Sequence, residues 1–268
     1  MEKYNVKFKK KYGQNFLKDV GVVKRIVAIS DIDKESLVIE VGPGGAIMTK
    51  ELAVKAGRVL AYEIDTDLVE ELNNKLQEFD NVDVLFQDFL ISDLKNDVKS
   101  YDYKKLFFTS NVPYYITTPI IMKLIKSNLN FEKIVMMVQK EVGDRFTSLP
   151  GNREYGSITV LLNYFFEVKK EFFVSKKQFV PEPKVDSVII SFSNREERLY
   201  LKSFDFFEKI LHDSFQYKRK NLKNNLNNYD LEIVGAVLKK YGYDLTVRAE
   251  MLKYEIFVEL ANSLYENR

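Results

Sequence analysis

This 268-residue sequence predicts an α/β fold: a mostly parallel sheet covered on both faces, followed by a small all-helical unit. Three observations carry that prediction. Short β-branched runs alternate with stretches of helical period as far as about residue 138, the pattern of successive βαβ units. The first such run, Leu37 to Val41, ends on the tight turn Gly42-Pro43-Gly44-Gly45. Beyond the charged stretch Asn194 to Arg198 the apolar period becomes purely helical.

The elements follow in order. After the Gly-rich turn, Ile47 to Ala56 reads as a helix and Arg58 to Ile64 as a second strand. Asp65 and Thr66 offer N-cap oxygens to a helix whose stripe is Leu68, Leu72, Leu76 and Phe79. Val82 to Phe86 is a third strand, Leu106 to Thr109 a fourth, Ile116 to Lys126 a helix, and Lys133 to Val138 a fifth strand. Two further runs, Phe172-Phe173-Val174 and Val188 to Phe192, flank a Pro-containing loop and are expected to pair at an antiparallel edge. Three helical stripes complete the chain: Phe207, Ile210, Leu211 and Phe215; Leu231, Val234, Leu238 and Tyr241, ended by Gly242; and Leu252, Ile256, Leu260 and Leu264. The expected domains are residues 1–195 and 196–268.

Composition bounds the function. Hydrophobic residues make up 46% and charged residues 30%, as in ordinary globular proteins. Without cysteine there is neither a disulfide nor a thiolate metal site. No apolar run reaches the ~18 residues of a membrane span, and the Lys-rich start has no apolar segment behind it, so a cytoplasmic protein is expected. The net charge of +2 hides two basic clusters. The first 25 residues hold eight Lys/Arg, among them Lys7, Lys9, Lys10 and Lys11, against two acids. Lys218, Arg219, Lys220 and Lys223 form the second. Such patches on a near-neutral protein fit a polyanion, although each alone also fits a solvated face.

Candidate site residues sit at the strand ends, where open α/β sheets bind ligands. The glycines of the first turn allow close approach to the backbone. The turn is not G-x-G-x-x-G, so a dinucleotide pyrophosphate is poorly served. Glu63, twenty-one positions after Gly42, can take both hydroxyls of a ribose. Asp88, after the third strand, can accept from an adenine amine. Singly these acids also read as N-caps or surface charges; together they describe an adenosine pocket without a phosphate clamp, best fitted by S-adenosylmethionine. After the fourth strand comes Asn111-Val112-Pro113-Tyr114, a stiff, polar, aromatic lip suited to a flat heteroaromatic amine, or an ordinary Asn-x-Pro turn.

The chain resembles the KsgA-type ribosomal RNA adenine dimethyltransferases and, more distantly, the Erm methyltransferases. The resemblance is carried by Lys11-Tyr12-Gly13-Gln14-Asn15-Phe16-Leu17, Glu40-Val41-Gly42-Pro43-Gly44, Glu63-Ile64-Asp65 and Asn111-Val112-Pro113-Tyr114. It continues in Gln139-Lys140-Glu141-Val142 and in Phe179-Val180-Pro181-Glu182-Pro183-Lys184-Val185-Asp186-Ser187. It implies a Rossmann-like S-adenosylmethionine-dependent methyltransferase sheet with a helical C-terminal domain that binds rRNA. It further implies that Asn15 and Leu17 close over the methionine end of the cofactor, that Gly42 and Asn111 line it, and that Glu63 and Asp88 hold its ribose and adenine. Asn111 and a carbonyl beside Pro113 would accept from the target amine, with Tyr114 and Phe179 stacking on the target base. No metal or covalent nucleophile is needed.

The implied substrate is a pair of adjacent adenosines in the 3′-terminal hairpin loop of 16S rRNA in the immature small subunit, each methylated twice. Three positions depart from the family pattern: Ser110 and Ala46 stand where many relatives have Gly, and Tyr115 where many have Asn. Two other readings stay open, an Erm-type enzyme acting on 23S rRNA and an rRNA-binding assembly factor without catalysis. His212, the single histidine, lies far from every motif and reads as a surface residue.

Overall fold

The computed structural model describes residues 15–266. Lys7, Lys9, Lys10 and Lys11 therefore lie outside the described residues. The chain divides into two compact units: residues 1–143 with 169–194, and residues 144–168 with 195–268.

The first unit is built on a seven-stranded sheet. Its strands are β2 (Ser36–Val41), β3 (Arg58–Tyr62), β4 (Val82–Leu85), β5 (Lys105–Asn111), β6 (Phe131–Gln139), β7 (Phe166–Val174) and β9 (Ser187–Asn194), in the order β4-β3-β2-β5-β6-β9-β7. A separate antiparallel ribbon joins β1 (Phe16–Leu17) to β8 (Phe179–Val180). The five strands from β4 to β6 are parallel, and β9 runs antiparallel to β6. As expected from their β-branched and aromatic runs, the last two strands lie together at one edge. Strand β2 is buried at every position, as a central parallel strand requires.

Helices α1 (Val20–Ile29), α2 (Ile47–Lys55), α3 (Val69–Leu76), α4 (Leu94–Lys99) and α5 (Thr117–Lys126) connect or precede these strands, and α6 (Lys140–Phe146) follows β6. One core cluster gathers Val23, Ile26, Leu52, Val59, Phe107, Val135 and Ile189; a second forms where Leu68, Leu72 and Leu76 pack with Ala46.

The second unit holds α7 (Ser157–Phe165), α8 (Phe204–Phe215), α9 (Leu222–Asn225), α10 (Leu231–Lys240) and α11 (Tyr254–Glu266). The expected second domain is residues 196–268; this unit comprises residues 195–268 and takes in residues 144–168 as well. The cause is apolar. Val160, Leu161, Leu162 and Tyr164 of α7 are buried, and the Tyr164 ring meets Phe207 of α8 at 5.3 Å. The Tyr155 hydroxyl donates to the Leu252 carbonyl at 2.9 Å. Lys218, Arg219, Lys220 and Lys223 are all exposed on this unit, beside Tyr217, and the Lys218 Nζ donates to the Arg153 carbonyl at 2.5 Å. His212 is exposed and paired with Asp213. Among the described residues no helix is long and apolar enough to cross a membrane.

Candidate active site

In the first unit β2 has β3 on one side and β5 on the other, so the connections leave in opposite directions at its carboxyl end. That reversal opens a crevice, the usual ligand position in such sheets. A cleft of about 950 Å³, open to solvent, lies there. Its walls include Asn15, Gly42, Glu63, Asp88, Asn111, Pro113 and Tyr114, brought together from five strand ends and loops.

The floor is a main-chain turn. Gly42 and Gly44 both have positive φ, of 77° and 50°, which side-chain-bearing residues rarely adopt. At Gly44 a Cβ would stand 2.5 Å from the Phe16 ring. Ala46 adopts a left-handed φ of 64° at the start of α2. That conformation costs an L-residue about 1–2 kcal/mol. The buried methyl against Leu68, Leu72 and Leu76 returns roughly 0.8 kcal/mol, and Ala also avoids the greater chain entropy of Gly. These terms nearly cancel, so this left-handed position accepts Ala.

Glu63 is 4% exposed. Its Oε1 accepts from the Asp65 N–H at 2.8 Å and its Oε2 from the Gly44 N–H at 3.3 Å, so each oxygen keeps a lone pair for a ligand hydroxyl. Burial raises its pKa, and the two backbone donors oppose the rise. Asp88 is half-buried; its Oδ1 caps the turn Phe89–Ile91 through the Leu90 N–H at 2.8 Å. Asp88 thus caps a turn through one oxygen and lines the cleft as well. Among the described residues no Lys or Arg lines the cleft. Its walls carry carboxylates and carbonyls, which suits a cationic adenosine derivative and opposes a pyrophosphate.

Asn111 ends β5. Its Nδ2 donates to the Asn15 carbonyl at 3.3 Å, which turns Oδ1 into the remaining acceptor. Pro113 has φ −57° and starts the turn Tyr114–Ile116, closed by the Ile116 N–H on the Pro113 carbonyl at 3.1 Å. The Tyr114 hydroxyl shares a 2.7 Å hydrogen bond with the Ser187 hydroxyl at the start of β9. Burial raises the Tyr114 pKa.

Two expected residues lie elsewhere. Leu17, 2% exposed, lines a smaller adjoining cleft of about 310 Å³ with Phe16, Glu40, Gly42, Pro43 and Asn111. Phe179 does not line either cleft. It pairs with Leu17 across the β1–β8 ribbon and is 2% exposed within the main core cluster. Burying a Phe ring is worth about 1.5–3 kcal/mol, which favours this packed position of the ring.

Glu40 escaped the sequence reading as a functional candidate. It is 2% exposed, faces the smaller cleft, and among the described residues its Oε2 has no hydrogen-bond partner. Burial pushes its pKa up to about 8; the Thr49 hydroxyl pulls it down and the Glu63 charge adds to the rise. The available signal was an acid inside the otherwise apolar run Leu37 to Val41. Ser187 stands in the sequence only as the end of a Pro-rich motif, and its bond to Tyr114 depends on a distant strand.

Comparison with known proteins agrees with this geometry. The family model described as ribosomal RNA adenine dimethylase matches residues 5–266. The chain is 38% identical over 272 residues to the ribosomal RNA small subunit methyltransferase A of Oceanobacillus iheyensis, covering 98% of this chain and 92% of that protein. To the protein of the same name in Bacillus pumilus it is 39% identical over 273 residues, covering 98% and 94%. Among solved structures, a dimethyladenosine transferase from Plasmodium falciparum superposes with a TM-score of 0.80 at 26% identity, covering 94% of this chain and 98% of that one. The 23S rRNA methyltransferase ErmE superposes with 0.72 at 27% identity, covering 94% and 100%. With nearly its whole length matched, the chain belongs to the ribosomal RNA adenine dimethylase family.

Proposed function

We propose that this protein transfers methyl groups from S-adenosylmethionine to the N6 amines of two adjacent adenosines in the 3′-terminal hairpin loop of 16S rRNA, within the immature small subunit in the cytoplasm. The observation that carries the reading is the acidic cleft, with no Lys or Arg among its described lining residues, set beside an Asn111 Oδ1 whose orientation is fixed from behind.

S-adenosylmethionine supplies a methyl group already activated on a sulfonium. Glu63 is the acceptor for its ribose hydroxyls and Asp88 for its adenine amine, while Asn15, Leu17, Gly42 and Asn111 line its path. The two clefts meet at Phe16, Gly42 and Asn111, so the methionine end is assigned to the smaller one.

The adenosine must leave its stack to enter the cleft. Its N6 lone pair is delocalised into the ring, so the enzyme has to favour the pyramidal amine of the transition state. Asn111 Oδ1 and a carbonyl beside Pro113 accept from the two N6 hydrogens and hold the lone pair toward the methyl group. The new N–C bond forms as the S–C bond breaks, and the surplus N6 proton passes to solvent. Tyr114 offers a ring face to the base, worth about 1–3 kcal/mol, and attracts the transient cation. Positioning supplies most of the rate. Lys7, Lys9, Lys10 and Lys11, with exposed Lys218, Arg219, Lys220 and Lys223, are assigned to rRNA phosphates, which position without reading sequence.

The test supplies labelled S-adenosylmethionine with undermethylated small subunits and, separately, with protein-free large-subunit rRNA. Transfer to the small subunit is expected. Transfer to the large-subunit RNA alone would establish the Erm-type reading, and no transfer to either would establish the binding-only reading.

A further inference from the structure

Tyr114 and Tyr115 are consecutive residues in one 3₁₀ turn, and both line the cleft. With three residues per turn, neighbouring side chains leave such a turn about 120° apart. The two rings therefore serve different spaces. Tyr114 is half-buried and tied to Ser187. Tyr115 is 56% exposed at the rim. The turn between them is fixed by the Ile116 N–H on the Pro113 carbonyl and by the Thr117 hydroxyl on the Tyr114 carbonyl, both at 3.1 Å. Ile64, 41% exposed, also lines the cleft.

An adenosine drawn into the cleft leaves its neighbour with one stacking face uncovered. A ring held at the rim can cover that face, and the gain follows the size of the base more than its hydrogen-bonding edge. We infer that Tyr115 is a specificity-determining residue: it stacks the nucleotide next to the adenosine being methylated and gives the enzyme a preference for a purine there. This inference rests on the proposed rRNA substrate and identifies what lies beside the target.

The experiment uses full-length protein and undermethylated small subunits in which the neighbour of the target adenosine is adenosine, guanosine or uridine. The value of kcat/KM is measured for transfer to the remaining adenosine. The wild type should favour both purine neighbours over uridine several-fold. Tyr115→Phe should keep that preference, and Tyr115→Ala and Tyr115→Asn should reduce it to within about twofold, given the roughly fivefold or greater effect of losing a base–aromatic stack. Because the ratio is internal to each variant, a general loss of activity cancels from it. A purine preference that survives in Tyr115→Ala, or a wild type with none, overturns the assignment of Tyr115 while leaving the functional reading standing. A wild type that methylates none of these subunits overturns the functional reading itself, and this inference with it.

Discussion

The Ser110 hydroxyl is bonded twice to the main chain of Val41, donating to its carbonyl at 2.6 Å and accepting from its N–H at 3.3 Å. The β2–β5 ladder ends two residues earlier, at the pair Ile39 and Phe108. Beyond that pair the strands part to open the crevice, and Ser110 takes over the role of a ladder residue. It thereby ties Gly42, next to Val41, to Asn111, next to Ser110. Removing the hydroxyl leaves a buried donor and a buried acceptor unpaired, a loss of roughly 1–3 kcal/mol. Urea denaturation of Ser110→Ala should show that loss, together with weaker cofactor binding. Unchanged stability would mean that the strand ends hold without it.

Asn111 reaches back to Asn15 with its amide nitrogen and forward with its oxygen. In Asn111→Ala, methyl transfer should fall on the order of 10²–10³-fold, the range for loss of one oriented electrostatic partner. Affinity for S-adenosylhomocysteine, measured by calorimetry, should largely survive because Glu63 and Asp88 remain. Near-normal turnover would remove Asn111 from the role of amine acceptor.

The bond between Tyr114 and Ser187 predicts a coupled pair. Each of Tyr114→Phe and Ser187→Ala removes one hydrogen bond worth about 1 kcal/mol, so KM for the RNA should rise roughly fivefold with kcat less affected. The double variant should be no worse than either single one, the mark of a shared interaction. Additive losses would show that the hydroxyls act separately.

Glu40 gives the stability a pH dependence with a definite sign. Its folded pKa, about 8, lies above the ordinary value of 4.5. Between those values the folded protein keeps a proton that the unfolded chain has released. The contribution is whole below the lower value and is lost as pH rises through the upper one, by about 1.4 kcal/mol per pH unit. Glu63 shifts in the same direction. Compared by urea denaturation across that window, Glu40→Gln should gain on the wild type steadily as pH rises. Parallel curves for the two proteins would show that Glu40 titrates normally.

Local pattern made most of the sheet legible. Leu37 to Val41 and Lys133 to Val138 declare themselves as strands because the sheet buries both faces of each, leaving apolar runs interrupted only by Glu40 and the leading Lys133. Val82 to Phe86, a half-buried edge strand, shows through its β-branched residues alternating with Asp83. The strand ends then indicate Gly42, Glu63, Asp88 and Asn111, since position in a βα unit is itself local information. What escaped depends on distant partners. Residues 144–168 belong with the C-terminal helices only because Tyr155 and Tyr164 find Leu252 and Phe207 there. Phe179 reads as a stacking ring from its Pro-rich context, while its pairing with Leu17 and its burial in the core depend on a strand far away in the sequence. Glu40 sits in an apolar run, where its charge passes for an interruption of a strand until the cleft beneath it is visible.

The three residue pairs whose hydrogen bonds lock the site lie far apart along the chain: Asn15 with Asn111, Val41 with Ser110, and Tyr114 with Ser187, at separations of 96, 69 and 73 residues. Closing loops of that length must be met by entropy before any contact repays it, so such contacts form late in folding. Chains emerge from synthesis amino end first. The parallel strands that carry Glu63 and Asp88 can assemble early, but Tyr114 finds its partner only when β9 arrives beside β6. A nascent chain therefore passes through a stage that has its nucleoside wall and no anchored aromatic lip, and competence to modify RNA comes near the end of its own manufacture.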